Sequence, residues 1–140
     1  MKWVMLSLFL PFSWVLWAQS HHPEEFLATL RDKPNQGELI VEHFCSSCHN
    51  RQPLIELGAP KIGLSQDWEP RISQGLACLL KHTEEGFFAM PARGGCFECS
   101  EQELLLAIVA MLPKARQKDI QSNRESCTNE YERRGKSRKP

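Results

Sequence analysis

The sequence predicts an all-α domain, and three observations carry that prediction. Apolar side chains recur at helical spacing in three stretches of the chain. Two of those stretches open on a capping-box pattern, Asn35 with Glu38 and Ser100 with Glu103, in which each side chain satisfies an orphan N–H of the helix start. No segment shows the sustained period-two alternation of a half-buried strand.

Residues 1–20 stand apart as a secretory signal peptide. Lys2 gives a short positive start, and Trp3 to Trp17 is apolar except for Ser7, Pro11 and Ser13. A membrane span needs about 20 apolar residues, and Ala18-Gln19-Ser20 places small residues where a peptidase cuts, after Ser20. Residues 21–34 form a polar, irregular N-terminal extension in which Phe26, Leu27 and Leu30 mark at most a short amphipathic turn. The domain proper runs over 35–113. Its first helix starts at the Asn35 cap, presents Leu39, Ile40, Val41 and Phe44, and runs into Cys45 and Cys48.

Arg51 to Gln66 is loop, punctuated by Pro53, Gly58, Pro60 and Gly63. A second helix opens at Asp67-Trp68-Glu69-Pro70, proline being tolerated in a first turn, and Trp68, Ile72, Leu76, Leu79 and Leu80 carry it through Lys81. Glu84 to Phe97 is loop again. The last helix follows Ser100, is strongly apolar from Leu104 to Leu112, and stops at Pro113. Residues 114–140 are a basic tail with Ile120 and Tyr131 as its only large apolar side chains. Such a composition cannot bury enough surface to offset ordering entropy, so the tail is predicted to be disordered.

Formal net charge is zero, yet it is unevenly placed. From His21 to Pro113 there are 7 Lys and Arg against 13 Asp and Glu, a net of −6, whereas the tail carries 9 against 4, a net of +5. A partner meeting the domain therefore sees negative potential. A basic tail suits weak contact with anionic lipid head groups or an acidic partner. Nothing in the chain predicts nucleic-acid binding.

Cys45-Ser46-Ser47-Cys48-His49 is the attachment signature of c-type haem. Each thiol adds across one haem vinyl group, and the adjacent imidazole becomes the proximal ligand. One covalent haem c is thus expected, and it also supplies apolar surface to residues 21–113, a stretch of about 93 residues near the lower limit for an ordinary core. A second axial ligand closes the iron, and thioether opposite imidazole raises its potential. Met90 sits in a loop beside Pro91 and can wrap to the distal face, whereas Met111 lies at a core position of the last helix. His43 and His82 compete as imidazole ligands. His43 would have to fold back from the attachment helix, and His82 ends the second helix. Trp68 and Arg71 suit either contact with the haem edge or a propionate, or a helix anchor and a solvated charge.

Helix, CxxCH, intermediate helix, Met-Pro loop and C-terminal helix together resemble a class I cytochrome c. The runs Gly58-Ala59-Pro60-Lys61, Trp68-Glu69-Pro70-Arg71-Ile72, Gly86-Phe87-Phe88-Ala89-Met90-Pro91 and Arg93-Gly94-Gly95-Cys96-Phe97-Glu98-Cys99-Ser100 are similar to bacterial cytochromes of the c5 type. The resemblance covers Asn35 to Pro113. It implies three to five helices around one covalently bound haem, with His49 and Met90 as axial ligands and a disulfide between Cys96 and Cys99. It also implies close crossing of the first and last helices at Gly37, with Val41 where an aromatic residue is usual. The Cys96–Cys99 pair is followed by Ser100, so it lacks a proximal ligand for a second haem. Cys78 and Cys127 are compatible with a mutual bridge, with free thiols or with an intermolecular pair.

The function expected is therefore that of a periplasmic one-electron carrier in a respiratory chain rather than an enzyme. Its partners are redox proteins, in particular membrane respiratory complexes. Two alternatives compete with it. A haem enzyme or sensor would keep an open sixth position with a distal acid–base group, for which His82 is the candidate. A four-cysteine zinc module would use Cys45, Cys48, Cys96 and Cys99, but the second pair begins 48 residues after the first ends, against roughly 15–20 in the usual pattern.

Overall fold

The computed structural model describes residues 22–122 and Cys127, and its regular structure there is helical. In chain order the helices are α1 (Pro23–Leu30), α2 (Gln36–Ile40), α3 (Ser46–His49), α4 (Ser65–Ile72), α5 (Leu76–Glu85), α6 (Glu101–Met111) and α7 (Lys114–Ser122). A π-helical turn at Val41–Cys45 joins α2 to α3, and a 3₁₀ turn at Ala92–Gly95 precedes α6. Among the described residues the only β-type pairing is an isolated bridge between Phe87 and Met90. The all-α expectation is met.

α2 and α6 form the principal helix pair. Leu104, Ala107, Ile108 and Met111 give α6 a buried stripe at i, i+3, i+4 and i+7, and Gly37 supplies the facing notch. A Cβ there would stand 2.5 Å from the Leu106 carbonyl oxygen, so the two backbones meet at a distance only glycine permits. Ile40, Ile108 and Leu112 are fully buried around this crossing, each worth about 1.5–3 kcal/mol relative to exposure.

The two capping boxes differ. Ser100 Oγ accepts from the Glu103 N–H, and the Ser100 N–H donates to Glu103 Oε2 at 2.7 Å, closing the box. Asn35 makes no side-chain cap; its backbone (φ −111°, ψ 28°) is not extended as a capping residue requires. Gln36 instead reaches Glu103 across the helix pair at 3.5 Å.

Three expectations are revised. Residues 21–34 are not irregular throughout, because Pro23–Leu30 is helical and buries Leu27 and Leu30 in the core. Pro23 suits the first turn of α1, where its missing N–H costs nothing. The single helix expected from Asp67 to Lys81 is two, broken at Gly75, whose φ of 85° is a left-handed value open to glycine. The tail is not disordered from Lys114 onward: α7 continues to Ser122, Ile120 is buried, and Cys127 is disulfide-bonded to Cys78. Arg116 fixes α7 to α4 through a two-pronged pair with Glu69, at 2.9 and 2.6 Å. Residues 1–20, expected to be a signal peptide, lie outside the described residues, as do 21, 123–126 and 128–140.

Candidate functional site

A cavity of about 430 Å³ opens beside the cysteine motif, within the range that takes a cofactor-sized ligand. Cys45, Cys48 and His49 line one side because the π-helical turn and α3 deliver all three from a single helical segment. His49 is buried, and its Nδ1 lies 2.8 Å from the Pro60 carbonyl oxygen. A carbonyl can only accept, so Nδ1 carries the proton and donates. Nε2 is left with its lone pair, the state a metal-binding imidazole needs. Burial pushes the His49 pKa down, the Pro60 bond opposes this, and the charges of Lys61 and Arg71 push it down further. Burial, then proximity to Cys48, pushes the Cys45 thiol up to about 11.

The loop after α3 is organised around this imidazole. The Ile62 N–H donates to the His49 carbonyl at 2.8 Å, and the Gly63 N–H to the Met111 carbonyl at 2.8 Å. Asp67 accepts from the Lys61 N–H, and Trp68 Nε1 donates to the Lys61 carbonyl at 2.8 Å. Trp68 is thus an anchor for the proximal loop, its ring stacked beside His49 at 6.4 Å, and its indole N–H is spent within the protein. Arg71 lines the cavity while donating to the Asp67 carbonyl.

Met90 enters from the loop after α5. The Phe87 N–H donates to the Met90 carbonyl and the Met90 N–H to the Phe87 carbonyl, at 3.1 and 2.9 Å. This tight turn requires Phe88 at φ 53° and is followed by Pro91. Gly86 lies under it, where a Cβ would stand 2.8 Å from the Met90 carbonyl oxygen. Cys96 and Cys99 are disulfide-bonded, and the Arg93 guanidinium, beside the next turn, donates to the Cys99 carbonyl.

Cys45, Cys48, His49 and Met90 are therefore brought to one cavity, with Trp68, Arg71, His82 and Met111 also in its wall. His43 is not; it stacks on Phe26 at 4.1 Å, away from the cavity lining. The sequence reading missed three contributors: Pro60 as the imidazole's acceptor, Gly86 as the floor of the Met90 turn, and Gln74. Gln74 lines the cavity and its Oε1 is buried without a hydrogen-bond partner, a polar atom that a bound group carrying a donor would satisfy. Gly86 had a legible signal as the glycine just past a helix end; Gln74 had none.

Comparison with known proteins places this geometry. A cytochrome c domain model described as cytochrome c oxidase, cbb3-type, subunit III, matches residues 32–109. The chain is 39% identical over 77 residues to cytochrome c5 of Azotobacter vinelandii, covering 54% of this chain and 89% of that protein. The chain is a class I c-type cytochrome. It is also 40% identical over 76 residues to cytochrome c5 of Ectopseudomonas mendocina, covering 53% of this chain and 83% of the relative. To cytochrome c-555 of Chlorobaculum tepidum it is 29% identical over 84 residues, covering 57% and 75% respectively.

The cytochrome thus belongs with proteins that bind haem c covalently, and Cys45 and Cys48 fit their CXXCH motif. Cytochromes of this kind transfer electrons with redox partner proteins. The cavity, the singly protonated imidazole and the paired thiols fit that cofactor. The zinc reading fails, since Cys96 and Cys99 are consumed in a disulfide and only two of its four thiolates remain.

Proposed function

We propose that this cytochrome is a periplasmic one-electron carrier of a respiratory chain, with Cys45 and Cys48 as haem thioethers and His49 and Met90 as axial ligands. Bound haem supplies a one-electron iron couple. The observation that carries the reading is the presence of His49 and Met90 in the wall of one cavity, His49 aimed by its Nδ1 bond to the Pro60 carbonyl and Met90 held by the backbone bonds of its turn to Phe87. Met111 also reaches the wall, but its carbonyl is tied to Gly63 in the loop that holds His49. This supports placing Met111 on the imidazole's own side and Met90 as the ligand opposite.

The residues around the site hold it rather than react. Pro60 fixes the tautomer and direction of His49; Trp68 and Asp67 fix the loop that carries Pro60; Gly86 and Pro91 fix the Met90 turn. Ligands that keep their places in both oxidation states lower the reorganisation that accompanies each electron. Signal-peptide character in residues 1–20 supports export. The net charge of −6 over residues 21–113 supports partners with a basic docking face.

The test is visible and near-infrared spectroscopy of the purified holoprotein with a pyridine haemochrome assay. One covalent haem is expected, with the charge-transfer band of thioether on ferric iron. Met90→Ala should abolish that band and lower the reduction potential. A band that survives the substitution would overturn Met90. Cell fractionation and the mass of the mature protein check export and cleavage after Ser20.

A further inference from the structure

We propose that His82 is a reserve axial ligand of this cytochrome, placed to take the iron when the Met90 thioether leaves it. The inference rests on the assignment of Met90 above. Of the described histidines, only His49 and His82 line the cavity. α5 presents Leu79, His82 and Thr83 to the cavity wall at i, i+3 and i+4, one face of the helix.

The His82 ring stacks on Phe87, with centroids 4.3 Å apart and planes at 28°. Phe87 is in turn backbone-paired to Met90 in both directions. One aromatic ring therefore separates the imidazole from the turn that carries the thioether, which puts both candidate ligands on the same side of the cavity.

The two are held by very different means. Met90 hangs from a four-residue turn containing a left-handed Phe88, a conformation that costs a phenylalanine energy. Phe88 is 69% exposed, so that strain is not offset by burial of its ring. His82 stands on a ten-residue helix whose buried positions are Leu76, Cys78 and Leu79, and Cys78 is further pinned by its bridge to Cys127. When the turn opens, the thioether withdraws while the imidazole stays. The exchange would balance without redox change: Met90 would give up the position through its sulfur lone pair and His82 would fill it through a ring-nitrogen lone pair, any proton on that nitrogen passing to solvent. The fold thus offers that position two candidate ligands, one on a helix and one on a strained turn.

Four holoproteins test this: wild type, Met90→Ala, His82→Asn and the double variant. Each is read by electron paramagnetic resonance and visible spectra, with far-ultraviolet dichroism as the control for folding. Met90→Ala should lose the thioether band yet stay low-spin. The double variant should gain about tenfold or more in high-spin fraction over Met90→Ala, and His82→Asn alone should keep the thioether band. If Met90→Ala is folded and fully high-spin, His82 does not reach the iron and the proposal is overturned while Met90 stands as ligand. If His82→Asn loses the sixth ligand and Met90→Ala changes nothing, His82 is the resident ligand and the Met90 assignment falls instead.

Discussion

Gly86 and Met90 are in backbone contact with no room for a side chain between them: a Cβ on Gly86 would lie 2.8 Å from the Met90 carbonyl oxygen and 2.9 Å from the Ala92 nitrogen. Both neighbours are main chain, and Gly86 itself has φ 82°. Gly86→Ala therefore meets a steric clash and a disfavoured backbone together, with an expected loss of about 1–3 kcal/mol. The loss should concentrate on the Met90 turn, so the thioether band should weaken at a lower temperature than the helical signal melts. Coincident loss of both signals would show the turn is not the weak point.

Trp68 holds the proximal loop by one hydrogen bond as well as by packing. Trp68→Phe keeps most of the ring but leaves the Lys61 carbonyl without its indole donor, a change expected to cost about 1–3 kcal/mol. Chemical denaturation of the holoprotein measures it. Little or no change would mean that water replaces the indole there.

The bridge between Cys78 and Cys127 closes a loop with a sequence separation of 49. In the chain-entropy account, a loop of that size corresponds to about 4 kcal/mol. Cys127→Ser should lower the melting temperature while leaving the haem spectrum unchanged, because Cys78 and Cys127 do not line the cavity. A spectrum that shifts with the substitution would tie the tail to the site.

The Arg116 hydrogen bonds, and then its charge, hold the Glu69 carboxyl below its ordinary value, while Glu69 raises Arg116. For a carboxylate with a depressed folded pKa, the stabilisation is complete above the unfolded pKa and lost as pH falls through the folded one. The stability difference between wild type and Glu69→Gln should therefore be present at neutral pH, fade as pH falls below the ordinary carboxyl value of 4.5 and be smaller at high salt. A difference that persists unchanged at acid pH would exclude the ion pair as its source.

The attachment site was legible because its chemistry is local: Cys45, Cys48 and His49 fall within five residues, and covalent attachment fixes their order. The place of Met90 in the cavity wall was legible through Pro91 and the loop around it. What escaped depends on residues far apart in sequence. α1 has only Phe26, Leu27 and Leu30 to announce it, and its burial depends on partners such as Phe44 and Ile40. α7 is polar, and it holds through Ile120, the Glu69 pair and a bridge to Cys78. The α4–α5 break was hidden because Trp68, Ile72, Leu76, Leu79 and Leu80 fit one period straight across Gly75. Asn35 showed the opposite failure, a capping pattern in sequence that its backbone, at φ −111° and ψ 28°, does not use.

The π-helical turn at Val41–Cys45 has a consequence for how this helix can vary. In an α-helix each added residue rotates everything downstream by about 100°, so an insertion before Cys45 would swing both thiols and the imidazole off the cavity. A wide turn stores one extra residue without that rotation. Gly37 is phased to α6 and His49 to the cavity, and the segment between them absorbs the mismatch. Removal of one residue within 41–44 should let the wide turn relax to an α-helix and be tolerated, whereas the same removal elsewhere between Gly37 and His49 should not.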